Sequence, residues 1–282
     1  MIILNIKLAK KCNFMKKNFN FNLWDPIVTY NNYYDDFYDQ RYPTYNYRTL
    51  SLLINFTMQA NMVLDFGCGN GRYTIPIAEK TSAKIFAYDI CHKATSLLKN
   101  RISTNPIIKD KISIIDSLTK LELYKNSFDA IIAIFGVISH INDKKERLKI
   151  LAKLRDLLSP KGSLIITVPN AYRRFYREQL KYSLIRKFNE TNAGIANFRN
   201  DITYNREING LKNTFYYHLY TTNSLENELN DAGLIVNKIF AESILSESYV
   251  TRSLLFYKLD KYLLSCLPNF LGYGLLAISS KE

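Results

Sequence analysis

The sequence predicts an α/β fold, a doubly wound and mostly parallel sheet of seven strands with helices on both faces. Short apolar runs alternate with segments of helical periodicity along most of the chain. The first run leads into a glycine-rich turn, and acids follow the next two runs. Because parallel strands place their carboxyl ends at one edge of a sheet, these features predict a ligand site at that edge.

Each predicted strand is a short apolar run bounded by polar or turn residues. In chain order the strands are the run that ends at Asp65, then Lys84–Tyr88, Ile112–Ile115, Phe128–Phe135, Gly162–Val168, Leu234–Glu242 and Tyr273–Ser279. The predicted helices are Tyr45–Met58, Arg72–Lys80, His92–Arg101, Asp143–Leu158 and one that ends at Ala232. Asn142 or Asp143 can cap the fourth helix, and Thr222 or Asn223 can cap the last.

The glycine-rich turn after the first strand reads Gly67-Cys68-Gly69-Asn70-Gly71. Glycines there permit positive φ and remove the Cβ atoms that would block a ligand, and the next helix begins with uncompensated amide donors. The third glycine comes one residue earlier than in the Gly-x-Gly-x-x-Gly fingerprint of dinucleotide folds. Asp65 would also repel a phosphate, whereas it can receive an ammonium group. The loop therefore favours a nucleoside that carries an amino acid.

The segment from Val63 to Gly71 resembles the first motif of the class I S-adenosylmethionine-dependent methyltransferases, which reads like V-L-D-x-G-C-G-x-G. The resemblance implies S-adenosylmethionine as the cofactor. It also implies the strand order 3-2-1-4-5-7-6, with the seventh strand antiparallel between the fifth and the sixth, and a lid inserted after the fifth. A glycine-rich turn in an unrelated α/β protein is the alternative.

The predicted cofactor contacts come from the loop and from the ends of the second, third and fourth strands. They are Asp65, Gly67, Cys68, Gly69, Gly71, Asp89, Ile90, Asp116, Ser117, Phe135 and Gly136. Asp89, at the tip of the second strand, can accept both ribose hydroxyls. The resemblance assigns the adenine amino group to Asp116. Either acid alone could instead cap the helix that follows it.

The composition, 282 residues with 47% hydrophobic side chains, fits a folded chain. No apolar run approaches the roughly 18–20 residues that span a bilayer. The four cysteines form no C-x-x-C pair and the three histidines are scattered, so the sequence predicts no metal site. Since a disulfide at Cys68 would obstruct the glycine loop, we expect a reducing, cytoplasmic location.

The net charge of +13 is concentrated in two segments. Residues 1–24 contain five lysines and no acid, and residues 170–217 contain nine basic and four acidic residues. A basic stripe beside a site favours a polyanionic substrate such as RNA. A compositional bias toward lysine and asparagine explains the charge equally well.

We expect one methyltransferase domain over residues 25–282, after a basic tail of residues 1–24 that has no fixed structure. Two insertions interrupt the domain. Residues 171–217 follow the fifth strand and can fold over the site as a lid. Residues 244–272 contain the nearly apolar stretch Ser253–Leu267, which indicates a packed helix pair or a partner surface. Membrane contact is disfavoured because this stretch lacks a consistent basic polar face.

Methyl transfer from a sulfonium requires alignment of the two reactants, and a general base is needed only where the acceptor atom holds a proton. The candidate catalytic residues are His140, just after the fourth strand, and His218 in a tyrosine-rich segment. A packing or hydrogen-bonding histidine is the alternative for each. Arg41, Tyr42 and Tyr217 are candidate substrate contacts, with a surface loop as the alternative for the first two.

Four short segments resemble the methyltransferases that finish the carboxymethyl modification of wobble uridine in tRNA. They are Gln40–Pro43, Gly69–Tyr73, Gly136–His140 and Tyr216–Tyr220. The chain departs from those proteins at Ser139, where they have a first histidine. This resemblance implies tRNA as a partner. The alternatives are a small acceptor, such as a quinone or lipid precursor or a sugar, and a non-catalytic cofactor-binding protein used in regulation or assembly.

Overall fold

The three-dimensional structure is a computed structural model that describes residues 26–34, 37–180, 183, 200–208 and 210–281. The predicted basic tail, residues 1–24, lies outside the described residues. So do residues 181–182 and 184–199 of the predicted lid. Within the described ranges, no helix combines the length and the apolar character needed to cross a membrane.

Nine strands are described, seven of them in one sheet. They are β1 (Met62–Phe66), β2 (Lys84–Tyr88), β3 (Ile112–Ile115), β4 (Phe128–Ala133), β5 (Leu158–Pro169), β6 (Asp201–Ile208), β7 (Leu211–His218), β8 (Leu234–Ser243) and β9 (Gly274–Lys281). The sheet order is β3-β2-β1-β4-β5-β9-β8, and β6 and β7 form a separate antiparallel hairpin. Strands β1 to β5 are parallel, and β9 is antiparallel to both of its neighbours. Since β8 and β9 are the predicted sixth and seventh strands, the predicted fold class and order are confirmed.

The α-helices with defined bounds alternate with the parallel strands or flank the sheet. They are α1 (Pro26–Tyr33), α2 (Phe37–Arg41), α3 (Tyr47–Thr57), α4 (Thr74–Lys80), α5 (His92–Ser103), α6 (Leu118–Leu121), α7 (Lys144–Leu157), α8 (Thr222–Asp231), α9 (Glu247–Val250) and α10 (Leu254–Cys266). Asp143 caps α7, as one of the two predicted caps. The predicted cap of α8 is wrong by one residue. Thr221 caps that helix, because this position places Ser224 where its hydroxyl can complete a reciprocal capping box.

Apolar layers cover both faces of the sheet. Val63 and Leu64 of β1 belong to two different core clusters, as alternating side chains of a strand require. One cluster includes Leu154 of α7 and Leu229 of α8, and the other includes Leu53 of α3. Burial on both faces explains why the parallel strands appear in the sequence as continuous apolar runs.

A third cluster joins the N-terminal helices to the β6–β7 hairpin. It contains Tyr33 of α1, Tyr38 of α2, Ile202 of β6 and Phe215 of β7. This cluster lies at the carboxyl edge of the sheet, because the Tyr34 hydroxyl approaches Gly69 in the loop after β1. The N-terminal helices and the hairpin thereby form a roof over the predicted ligand edge.

Candidate active site

The loop after β1 adopts the backbone that its glycines permit. Gly67 and Gly69 have φ values of +81° and +55°. A Cβ atom on Gly69 would lie 2.4 Å from the Tyr34 hydroxyl, so a larger side chain could not fit there without displacing the roof. The amides of Gly67 and Cys68 donate to the carbonyl oxygen of Tyr88 at 2.7 and 3.0 Å, which ties the loop to the end of β2.

Two acids accompany this loop. Asp89 accepts hydrogen bonds from the amides of Gly69 and Cys91, each at 2.8 Å. Asp65 is buried and accepts a bond of 2.6 Å from the Thr74 hydroxyl. Burial raises the pKa of Asp65 to about 7, and it also raises the pKa of Asp89. Burial therefore disfavours the ionised form of both carboxyl groups, and a hydrogen-bond donor or a cation beside them would stabilise it.

A cavity of about 390 Å³, called the main cavity below, opens over the loop. Its volume is typical of small-molecule sites, which occupy about 300–1,000 Å³. The predicted site residues that line it are Tyr42, Asp65, Gly67, Cys68, Gly69, Asp89, Ile90, Phe135, His140 and Tyr217. The fold thus brings together residues from the strand ends, from α2 and from the hairpin, and their individual roles stay predictions.

Four other predicted cofactor contacts do not line the main cavity, and one of them, Gly136, lines the neighbouring space described below. Gly71 packs against Leu98. Asp116 has a side chain that is 63% exposed, and it pairs with Lys120 at 2.7 Å. Ser117 caps α6. Leu118, one residue further along the chain, lines the main cavity in this region instead.

The turn after β4 holds a strained backbone. Phe135 has a φ of +73°, which costs about 1–3 kcal/mol for a residue with a side chain. Its amide donates to the Thr167 hydroxyl at 2.7 Å, and the Gly136 amide donates to the Thr167 carbonyl at 2.9 Å. These bonds hold the Phe135 ring on the wall of the main cavity. Gly136 and Arg41 line a neighbouring space of about 30 Å³, called the side cavity below.

His140 is buried between two hydrogen-bonding partners. Its Nδ1 lies 3.1 Å from the carbonyl oxygen of Tyr216, and because a carbonyl can only accept, this nitrogen carries the proton. Its Nε2 lies 2.5 Å from the Tyr30 hydroxyl, which therefore donates to it. Burial lowers the pKa of His140 to about 3. His140 is thus a neutral imidazole on the cavity wall, and its Nε2 accepts the hydrogen bond of the Tyr30 hydroxyl.

The second candidate histidine has a different setting. His218 does not line the main cavity, and its Nδ1 lies 2.6 Å from the buried carboxyl group of Asp201. Asp201 also accepts a hydrogen bond from the Tyr216 hydroxyl. These contacts join the two strands of the hairpin, which is the structural role expected of a hydrogen-bonding histidine.

The sequence reasoning missed most of the aromatic wall. Four tyrosines of the N-terminal segment line the main cavity, namely Tyr30 and Tyr33 of α1, Tyr34 directly after α1, and Tyr38 of α2. The other three tyrosines follow Tyr30 by three, four and eight residues, which is the spacing of one helix face. This periodicity is the feature of the sequence from which the wall could have been predicted. The apolar character of tyrosine places them against the hairpin, while their hydroxyl groups face the cavity residues.

Arginines also contribute to this wall. Arg206 lines the main cavity, donates to the Tyr33 hydroxyl at 2.9 Å and lies over the Tyr204 ring. Arg174 lines the side cavity and lies over the Tyr217 ring, with a buried Nε that has no hydrogen-bond partner among the described residues. Neither guanidinium forms an ion pair with a carboxyl group of that part of the chain. Two positive charges thus lie beside the cavities without an ion-pair partner in the described residues.

Tyr42 lies close to both of these arginines and to Arg41. Burial by itself raises the pKa of the Tyr42 hydroxyl, but Arg206, Arg41 and Arg174 together bring it below its usual value. Arg41 Nε also donates to this hydroxyl at 3.2 Å. The region around Tyr42 is therefore electropositive and suited to an anionic group.

The middle of the chain matches a known family. Residues 63–162 match the family model described as a methyltransferase domain. The chain carries a methyltransferase domain. Within it lie the glycine loop, Asp65, Asp89, Asp116, Phe135 and His140. The described residues contain no group of three or more histidine, cysteine, aspartate or glutamate side chains placed to hold a metal ion.

Solved structures of other proteins resemble this chain over most of its length, beyond the residues that match the family model. The CcbJ methyltransferase from Streptomyces caelestis superposes with a TM-score of 0.66 at 14% identity, over 92% of this chain and 99% of that protein. An S-adenosylmethionine-dependent methyltransferase from Methanosarcina mazei superposes with a TM-score of 0.55 at 17% identity, over 82% and 96%. The overall fold of the chain is therefore one that is found in S-adenosylmethionine-dependent methyltransferases.

One curated relative carries a name that mentions RNA. The chain is 30% identical over 108 residues to the mouse protein "Probable tRNA methyltransferase 9B" from Mus musculus. The match covers 38% of this chain and 22% of that protein. The chain thus spans about a fifth of the length of this relative.

Proposed function

We propose that this protein transfers a methyl group from S-adenosylmethionine to an acceptor that enters the main cavity. The observation that carries the proposal is that the glycine loop, Asp65 and Asp89 open into the same cavity as the wall of tyrosines and Arg206. A cofactor subsite and an acceptor subsite that share one cavity permit direct transfer, for which proximity and orientation do most of the work.

The residues present fit this cofactor. Asp65 offers a carboxylate to the ammonium group of the amino-acid part, and Asp89 offers one to the ribose hydroxyls. Gly67 and Gly69 let Val137 and the Tyr34 hydroxyl approach the loop closely, so a side chain at either glycine would displace part of the cavity wall. When bound, S-adenosylmethionine supplies a methyl group on a positively charged sulfur. The protein's own contribution is to hold the two reactants and to exclude water behind the roof.

The Tyr30–His140 pair gives the site a hydrogen-bonded route by which a proton can leave the acceptor, although the lowered pKa of His140 makes this histidine a weak base. An acceptor that loses a proton to the Tyr30 oxygen would release the tyrosine proton to Nε2 of His140, which already accepts that hydrogen bond. An acceptor that reacts through an ionised oxygen has no proton to lose and needs only positioning. In the first case His140 acts through Tyr30, and in the second case the site only positions the acceptor.

We expect the affinity for S-adenosylmethionine to rise by about eightfold between pH 6 and pH 7.5. Because burial raises the pKa of Asp65 to about 7, this carboxyl is mostly protonated at pH 6 and ionised at pH 7.5. Only the ionised form attracts an ammonium group, so binding strengthens as the pH rises. Isothermal titration calorimetry across this range measures the effect.

Two variants control this measurement. Asp65→Asn should bind more weakly and lose the dependence on pH. Asp116→Asn should keep the full slope, because the pKa of that exposed acid is already lowered by its hydrogen bond with Lys120. A wild-type affinity that does not change over this range would refute the role of Asp65.

We further propose that the acceptor carries an acidic group. Arg206 and Arg174 flank Tyr204 and Tyr217, whose rings lie 5.5 Å apart, and they have no carboxyl partner among the described residues. Both lid arginines thus turn toward aromatic rings and the cavities. This arrangement supports an anionic group bound inside the protein more than a phosphate backbone bound along its surface.

Methyl-label transfer tests the acceptor class. Radioactive S-adenosylmethionine and the purified protein are incubated with separated RNA, lipid and acidic small-molecule extracts of the source cells. We expect label in the fraction of the true acceptor, and Arg206→Met should lower it at least about tenfold while the affinity for the cofactor changes less than about threefold. Lys153→Met, which removes a surface charge paired with Glu122, should leave labelling unchanged. No label in any fraction together with retained cofactor binding would favour the non-catalytic alternative, and a protein that does not bind the cofactor at all would refute the proposed enzyme.

A tRNA acceptor is the second candidate. The four segments that resemble the wobble-uridine enzymes supply Tyr42, Arg72, His140 and Tyr217, all of which line the main cavity. The name of the mouse relative agrees with this candidate. In the labelling experiment, incorporation confined to tRNA and lost steeply with rising salt would support it, since phosphate contacts release counterions. A cytoplasmic location remains a prediction consistent with the buried free thiols of Cys68 and Cys91.

A further inference from the structure

Helix α10 turns an apolar stripe toward solvent. Leu255, Leu259, Tyr262 and Cys266 are spaced by four, three and four residues, so they form one stripe along the helix. Leu255 is 73% exposed, Tyr262 is 65% exposed and Leu259 is 43% exposed, and the Cys266 side chain is exposed as well. A stripe with this spacing normally faces a core. Here nothing in the described chain covers it.

The neighbouring stripe of the same helix is basic. Lys258 and Lys261 lie three residues apart beside the apolar stripe, and both are exposed. Asp260, the only acid of α10, is 2% exposed and accepts bonds from the amides of Ile244 and Leu245 at 2.8 and 2.7 Å. The charged groups that α10 presents to solvent are therefore all positive. In the sequence, Asp260 interrupts the basic character of this helix. In the folded chain its carboxyl group is buried and does not contribute to the exposed face.

Further apolar side chains extend the surface around the helix. Leu254 is 60% exposed, Tyr249 of α9 is 57% exposed and Phe270 is 53% exposed. The Tyr249 and Phe256 rings lie 5.4 Å apart, so the two helices present their aromatic groups together. On the inner side, Tyr257 packs against Tyr47 with a centroid distance of 5.4 Å. The helix is thus anchored to the domain while its outer side offers leucines, aromatic rings and lysines.

We propose that this face of α10 docks on an anionic lipid bilayer surface. An interfacial helix buries leucine and aromatic side chains at the boundary of the acyl chains and keeps its lysines among the headgroups, which matches the two stripes. Anionic headgroups complement Lys258 and Lys261. A second copy of the chain is a poorer occupant, because two such faces would bring their lysines together without an exposed acid of α10 to offset them.

Vesicle sedimentation with the full chain tests this proposal. We expect the protein to bind vesicles of phosphatidylcholine that contain about one third phosphatidylglycerol, and to bind pure phosphatidylcholine at least about tenfold more weakly. Binding should also weaken when the salt concentration rises from about 0.05 to 0.5 M. The measurement needs neither cofactor nor acceptor, so its result is independent of the proposed methyl transfer.

Variants assign the binding to the two stripes. L255E/L259E and K258E/K261E should each lower the bound fraction at least about tenfold, since one removes the apolar stripe and the other reverses the charge beside it. L123E is the matched control, because Leu123 is 82% exposed on a different part of the surface, and it should bind like the parent. Thermal unfolding of each variant verifies the fold.

Three outcomes would overturn the proposal. One is a parent protein that stays in the supernatant with anionic vesicles. Another is binding that survives both double substitutions in folded protein. The third is a dimer, measured by light scattering, that L255E/L259E dissociates while neither protein binds vesicles, which would assign the face to a second copy of the chain.

Discussion

Gly69→Arg should abolish the binding of S-adenosylmethionine, with a loss of affinity of at least about 100-fold. The residue has a φ of +55°, where a side chain costs about 1–2 kcal/mol of backbone strain. Its Cβ would lie 2.4 Å from the Tyr34 hydroxyl, so the arginine would enter the main cavity or displace the roof. The Gly69 amide, which holds the Asp89 carboxyl group at 2.8 Å, would shift with it. Calorimetry with the cofactor measures the loss.

Gly210→Arg is the matched control for this substitution. Gly210 also has a positive φ, +75°, but a Cβ there would meet nothing within 4 Å. The control therefore shares the backbone strain and the added charge without the steric conflict. Its affinity for the cofactor should stay within about threefold of the parent. Equal losses in both variants would show that strain or charge, rather than blocked space, weakens binding.

Glu228→Gln should lower the stability of the protein by about 3–5 kcal/mol, because it leaves a buried arginine without its counter-charge. Glu228 of α8 pairs with Arg147 of α7 at 2.8 Å, and the two side chains are only 5% and 3% exposed. Glu228 also accepts a hydrogen bond of 2.6 Å from the Tyr220 hydroxyl. For a domain of this size the loss corresponds to a fall in Tm of roughly 6–15 °C, measurable by calorimetry or circular dichroism.

Asp231→Asn controls for the general effect of removing a carboxylate between the same two helices. Asp231 of α8 pairs with Lys144 of α7 at 3.0 Å, but their side chains are 50% and 58% exposed. An exposed pair contributes about 0–1 kcal/mol, so this variant should unfold within about 3 °C of the parent. If the two variants unfolded at the same temperature, the buried pair would not have the stabilising role assigned to it.

The parallel sheet and its glycine loop were predictable because their signals are local. Strands buried on both faces require uninterrupted apolar runs, and positive φ beside a ligand requires glycine, so both constraints are visible over a few residues. The same reasoning located Asp65 and Asp89. It also placed Phe135 and His140 near the end of β4, although it could not show the positive φ of Phe135.

The wall opposite the loop was less predictable, because it depends on contacts between distant segments. Tyr30 and His140 are 110 residues apart, and only the folded chain shows that the tyrosine hydroxyl donates a hydrogen bond to the histidine Nε2. The candidate His218 lies in a tyrosine-rich segment that also indicated a site, yet it pairs with Asp201 outside the main cavity. Both histidines were candidates because of the chemistry of the imidazole group. Their positions in the folded chain show that only His140 lines the main cavity.

The order of residues along the chain was enough to determine the fold class, the sheet order and the identity of the cofactor loop. The fold class and the ligand loop follow from short-range chemistry, namely apolar runs, turn glycines and acids at strand ends, whereas the sheet order and the cofactor were implied by the resemblance to the class I methyltransferases. Only the tertiary structure decided which charges face the cavity and which face the core. Arg206 lines the cavity and forms no ion pair with the described residues, whereas Asp260 turns inward to accept hydrogen bonds from two backbone amides. The reason is that burial and pairing of a charge depend on neighbours brought together by folding, which sequence spacing does not specify.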